Sequence, residues 1–159
     1  MSDELAVQQV LAHYVRAHDR RDGAAMAALY TPEARVTIFY NNNPDGEPEM
    51  LGELAGREAI AQAVSHMMKP HPPRGWSHNA IDGLLIDIDG DRATVDAQFM
   101  VFSVLGDAKP AGGWPPGAAG AQGAITPIES GYYTYNLIRV DGQWLIEAQQ
   151  IRHNLPLAF

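Results

Sequence analysis

The sequence predicts an α+β domain in which three helices pack on one face of a curved antiparallel sheet. Two observations carry that expectation. Apolar residues recur at helical spacing through much of the first half of the chain. In the second half β-rich runs are joined in pairs by Asp-Gly turns. A chain of 159 residues has the usual length of one domain, 1–159, and is long enough to bury a continuous core.

The elements follow in order. Asp3 to about Arg20 reads as an amphipathic helix, with Val7, Leu11, Tyr14, Val15 and His18 on one face. Ser2, Asp3 and Glu4 suit its positive N-terminal end. On that helical wheel His18 lies nearer the centre of the apolar face than Asp19. A short Ala-rich helix is expected from Gly23 to Tyr30, closed by Thr31-Pro32, and Val36 to Tyr40 reads as a strand. Asn41 to Gly56 carries Pro44, Gly46, Pro48 and Gly52 and reads as a loop, before a third helix from Arg57 to Met68 that stops ahead of Pro70. Trp76–Ile88 and Ala93–Leu105 form a hairpin around Asp89-Gly90-Asp91. Tyr132–Val140 and Trp144–Arg152 form another around Asp141-Gly142. Between the hairpins, Gly106 to Pro127 is too rich in Gly and Pro for a central strand. It is either a surface excursion or a lid that brings Trp114 over a pocket.

Composition removes whole classes of function. The formal net charge of -8 leaves no basic excess for binding nucleic acid or an anionic membrane. Without cysteine there is no disulfide, no thiolate nucleophile and no Cys-ligated metal. His66 and His71 lack a third ligand, and neither a P-loop nor a G-x-S-x-G elbow is present, so no metal and no cofactor are expected. The acidic start and the lack of a long apolar run predict a cytoplasmic protein.

The run Tyr14-Val15-Arg16-Ala17-His18-Asp19-Arg20-Arg21-Asp22-Gly23, then Met26 to Tyr30 and Glu33-Ala34-Arg35-Val36, resembles the opening of SnoaL-like proteins. Gly56-Arg57-Glu58-Ala59-Ile60 and the closing Asp141-Gly142-Gln143-Trp144 hairpin are similar too. The resemblance implies the cone-shaped NTF2-like fold, with three helices around an open pocket, and a homo-oligomer (dimer or trimer) that covers the open sheet. Within that superfamily the chain is most similar to scytalone dehydratase, hexachlorocyclohexane dehydrochlorinase and bile-acid 7α-dehydratase. Their shared Asp–His pair implies catalytic roles for Asp19 and His78, with Tyr14 as proton donor and Arg152 in the pocket. Two features depart from the group: apolar residues surround Phe102 where scytalone dehydratase has a second histidine, and the Gly/Pro loop is extra. Ketosteroid isomerase chemistry is disfavoured, because Val36–Phe39 and Phe99–Val101 hold no carboxylate.

The implied reaction is proton abstraction beside an activating group, ending in elimination or reprotonation. An imidazole suits that task near neutral pH, and a carboxylate on one ring nitrogen fixes its tautomer. The expected function is therefore a cofactor-free, dehydratase-like lyase or isomerase acting on a small apolar cyclic or polyketide-like molecule. The rival readings are a polyketide cyclase and a non-catalytic binding or assembly domain. Tyr40, Phe102, Trp114 and His18 join Arg152 as expected substrate contacts, and Met50, Phe99, Met100 and Tyr133 as expected apolar lining. Residues 152 and 153 must face opposite ways on a regular strand, so only one of Arg152 and His153 can enter the pocket.

Overall fold

The computed structural model describes residues 1–158. Helix α1 spans Asp3–Arg20 and α2 spans Gly23–Ala27. Strands β1 (Tyr30–Tyr40) and β2 (Glu49–Ala55) precede α3 (Arg57–Gln62), which runs on as a π-helical turn over Ala63–Met67. Four long strands complete the chain: β3 (Gly75–Asp89), β4 (Arg92–Gly106), β5 (Gly123–Val140) and β6 (Gln143–His153). They form one sheet in the order β2-β1-β6-β5-β4-β3.

Ser2 starts α1 by accepting from the Leu5 N–H at 3.2 Å, and Arg21 ends it in the left-handed conformation. Val7, Leu11, Tyr14 and Ala17 then fall on one buried face. That face meets the inward residues of the sheet, among them Val95, Phe99, Tyr133, Tyr135, Leu137 and Ile146. Helices α2 and α3 approach each other at Gly23, where a Cβ would lie 2.2 Å from Ser65 Oγ and 2.3 Å from the Ala61 carbonyl oxygen. No helix among the described residues is long and apolar enough to cross a membrane.

Four expectations change. The sheet is mixed, because β1 runs parallel to β6 while every other pair is antiparallel. The expected loop at 41–56 holds the edge strand β2, which needs hydrogen bonds along one side only and absorbs an irregularity opposite Ile38/Phe39. The second helix ends at Ala27, and Tyr30 already pairs with Ile146 in β1. Strand β5 begins at Gly123, nine residues before Tyr132, so the connecting loop shrinks to 107–122. Pro127 is tolerated in that strand beside a bulge: Val101 pairs with Glu129 and Phe102 with Pro127, which leaves Ile128 as the extra residue.

Candidate active site

Between the helices and the concave face of the sheet lies an open-mouthed cavity of about 200 Å³. Its wall is largely apolar: Met26, Val36, Ile38, Ile60, Val64, Met68, Phe99 and Ile151 line it, with Leu157 from the tail. The polar side chains on it are Tyr14, His18, Tyr30, Glu129, Tyr133, Gln149 and His153. An apolar pocket with a few convergent polar groups is the usual form of a small-molecule site.

His18 and Asp19 sit on the last turn of α1. Asp19 is buried, and its Oδ1 accepts from the backbone N–H of Asn79 at 2.9 Å. β3 is the end strand of the sheet, so this bond ties the helix terminus to an otherwise open edge. The same oxygen lies 3.2 Å from Nδ1 of His18. With the proton on Nδ1, His18 donates to Asp19 and Nε2 is left as the base. The His18 ring lies over Tyr14 one turn earlier, centroids 6.5 Å apart. The backbone is pinned as well: Arg21 Nη1 donates to the His18 carbonyl at 2.8 Å, and His71 Nε2 lies 2.6 Å from the Asp19 carbonyl oxygen.

The floor is a network of hydroxyls. Tyr30 donates to Gln149 Oε1, Gln149 Nε2 donates to the Tyr14 hydroxyl at 3.0 Å, and Asn79 Nδ2 donates to the Tyr133 hydroxyl at 2.7 Å. Burial raises the Tyr14 pKa, opposed by its hydrogen bond with Gln149, and burial raises Tyr30, Tyr133 and Tyr135 well above the ordinary tyrosine value. These phenols are therefore neutral hydroxyls at physiological pH. Burial also lowers His153 below the ordinary histidine value, with the charge of Glu129 acting the other way.

Of the eight residues expected at the site, Tyr14 and His18 line the cavity, and Asp19 supports His18 from behind. His78 lies elsewhere. Alternation along β3 turns Ser77 and Asn79 inward and His78 outward, with its side chain 64% exposed. It lines a second hollow together with Asp19, Trp76, Arg16 and Arg20, its Nδ1 3.7 Å from Asp19 Oδ2, so the expected Asp19–His78 pair is within reach there but apart from the cavity. Arg152 also faces out. Its guanidinium donates to Thr134 Oγ1 at 2.8 Å and pairs with Asp96 at 3.4 Å. Tyr40 donates to the Asn42 carbonyl at 3.1 Å, and Phe102 lines a groove on the outer face with Met100 and Tyr132. Trp114 lies in the 107–122 loop, no residue of which lines the cavity. Met50 and Met100 are exposed outside the cavity, whereas Phe99 and Tyr133 do line it.

The sequence reading missed Glu129, Gln149 and Tyr30 as cavity residues. The signal for Glu129 was available as parity: residues 129, 131, 133 and 135 share the inward face of β5. Starting that strand at Tyr132 hid it. Gln149 and His153 share the inward face of β6 in the same way. No group of three or more His, Cys, Asp or Glu residues among those described is placed to hold a metal ion.

The fold has many relatives among solved structures. ActVI-ORFA from Streptomyces coelicolor superposes with a TM-score of 0.70 at 18% identity, covering 95% of this chain and 96% of that one. A candidate scytalone dehydratase from Novosphingobium aromaticivorans gives 0.66 at 17% identity, with 96% and 85% coverage. A variant of Rv3472, a Mycobacterium tuberculosis protein of unknown function, gives 0.66 at 22% identity, with 98% and 73% coverage. These identities speak to the fold alone. No protein of curated function matches the sequence. The SnoaL-like domain family matches residues 1–149, and the chain belongs to that family.

Proposed function

We propose that the protein is an acid–base lyase or isomerase, dehydratase-like in its chemistry, that works on a small and largely apolar cyclic molecule. The observation that carries this reading is the His18–Asp19 pair at the cavity wall, with Nδ1 3.2 Å from a carboxylate that Asn79 holds in place. It supplies an imidazole base, a fixed tautomer and a stabiliser for the imidazolium that forms. The base role thus falls to His18 rather than His78, whose ring lies outside the cavity. Asp19 is the positioning residue, and the neutral Tyr14 hydroxyl is the donor toward a carbonyl or leaving oxygen.

In this reading His18 Nε2 takes a proton from carbon beside the activating group. The imidazolium then returns that proton to a leaving hydroxyl, giving an alkene and water, or to another carbon, giving the isomer. The likeness to a candidate scytalone dehydratase agrees with the first outcome, and the likeness to ActVI-ORFA brings no reaction of its own.

The test is a screen of cyclic ketones and β-hydroxyketones in deuterated water, with deuterium uptake and product read by NMR. His18→Ala should lower the rate about a hundredfold or more, and His78→Ala should leave it near wild type. Ligands that bind without any exchange or turnover would instead make the chain a binding domain.

A further inference from the structure

The polar groups of the cavity fall into two sets. On the floor Gln149 joins Tyr30 to Tyr14, whose own O–H stays free to donate, and Tyr133 accepts from Asn79. The wall made by the ends of β5 and β6 is open. His153 is buried at 7% exposure, yet its Nδ1 has no hydrogen-bond partner among the described residues. Buried polar atoms are nearly always paired; of the seven unpaired side-chain atoms among the described residues, His153 Nδ1 is the one whose residue lines this cavity. Glu129 lines the same cavity, and its carboxylate enters none of the ion pairs found among the described residues.

The backbone brings these two groups together. Gly131 pairs with His153 across β5 and β6, and Glu129 lies two residues before Gly131 on the same face. That makes Glu129 and His153 diagonal neighbours, within reach of long side chains. Gly131 puts no side chain of its own between them. A Cβ there would lie 2.1 Å from the Arg152 carbonyl oxygen and 2.8 Å from Phe99 Cε1. The missing side chain lets the Phe99 ring pack close to Gly131 and lie T-shaped to His153, centroids 5.6 Å apart at 88°. Among the described residues, no lysine or arginine lines the cavity. Arg21 feels the charge of Glu129, but its guanidinium is taken up by the carbonyls of His18 and Lys69.

We infer that Glu129 and His153 form a hydroxyl-binding arm that admits uncharged ring compounds bearing an alcohol or phenol and turns carboxylates away. The ligand O–H donates to the Glu129 carboxylate, and its oxygen accepts from His153 Nδ1–H once the ring turns that covered atom toward the cavity. A carboxylate in the same place meets a like charge with no cation on the wall to offset it. The inference rests on the cavity being the substrate site and names the class of substrate it takes.

The experiment measures binding of three probes by calorimetry: 5-indanol, its methyl ether and indane-5-carboxylate. Wild type should bind the indanol at least about tenfold tighter than the ether, which cannot donate, and than the carboxylate. Glu129→Gln should bring the carboxylate to within about threefold of the indanol. His153→Leu should weaken the indanol about tenfold, while His153→Asn, which keeps a polar atom near the Nδ1 position, should stay within about threefold of wild type. Equal or tighter binding of the carboxylate by wild type would overturn the inference. So would a probe order unchanged by Glu129→Gln, or no indanol binding at millimolar concentration. His18→Ala should lose turnover but keep the preference for the indanol over the carboxylate, so failure of the catalytic reading and failure of the arm are separately visible.

Discussion

The two faces of the sheet differ in a way that decides where the chemistry can be. Adjacent residues on one strand, Asn79 and His78 or His153 and Arg152, enter opposite environments. Inside, Asn79 donates to Tyr133 and His153 stands against Phe99 in an apolar wall. Outside, Arg152 is shared between Thr134 and Asp96, and Arg92 pairs with Glu147, both within reach of water. The charged ends of these outer groups find partners in each other and in solvent, although Arg152 Nε is covered and unpaired. The inner ones must find them in the fold or in a ligand, which is why residue type alone is a poor guide and facing is a good one.

Exchanging one side of that contrast for the other should produce graded effects. The largest is catalytic: His18→Ala lowers turnover about 10²- to 10⁴-fold, whereas His78→Ala changes it by less than about twofold, measured on any substrate found in the screen. Next is the core. Ile146→Ala, at a position with no exposure, should cost about 2–5 kcal/mol in urea unfolding, and Arg92→Ala on the outer face under about 1 kcal/mol.

The titrations come third. Four buried tyrosines have folded pKa values above the ordinary value of about 10. Their contribution is complete below that value and is lost as the pH rises past it, because the unfolded chain ionises first. Alkaline unfolding should therefore coincide with a cooperative rise in phenolate absorbance. His153 has the opposite sign. Its folded value is lowered, so its contribution is present above about pH 6.5 and falls away as the pH drops, the unfolded chain taking up the proton first. His153→Leu should flatten that acid limb of the stability profile. The smallest effect is expected outside, where Arg152→Ala should shift stability by under about 1 kcal/mol and leave ligand affinity unchanged.

Much of the fold was legible because it rests on local signals. The helical spacing of Val7, Leu11 and Tyr14 and the two Asp-Gly turns place α1, the β3–β4 hairpin, the β5–β6 turn and β6 within a few residues of where they stand. Strand β2 was not legible, since an edge strand with Gly52 and two prolines upstream has little local preference and is held by its pairing with β1. The early start of β5 was hidden by Pro127, which the bulge at Ile128 accommodates. The site was half legible. The helical wheel of α1 turned His18 toward the core, and strand alternation allowed only one of Arg152 and His153 to face inward. The facing of His78 depends on the register of β3 against β4, where His78 opposes Phe102, and no local pattern sets that register.

In the proposed mechanism Asp19 orients the cavity imidazole of His18, and the tautomer of each ring tests this directly. Nitrogen-15 NMR of histidine-labelled protein reports it for His18 and His78 together, in wild type and in Asp19→Asn. The account predicts an Nδ1–H tautomer at His18 that loosens to a mixture in the variant, with His78 unchanged between the two. A locked tautomer at His78 that Asp19→Asn releases, with His18 indifferent, would contradict it.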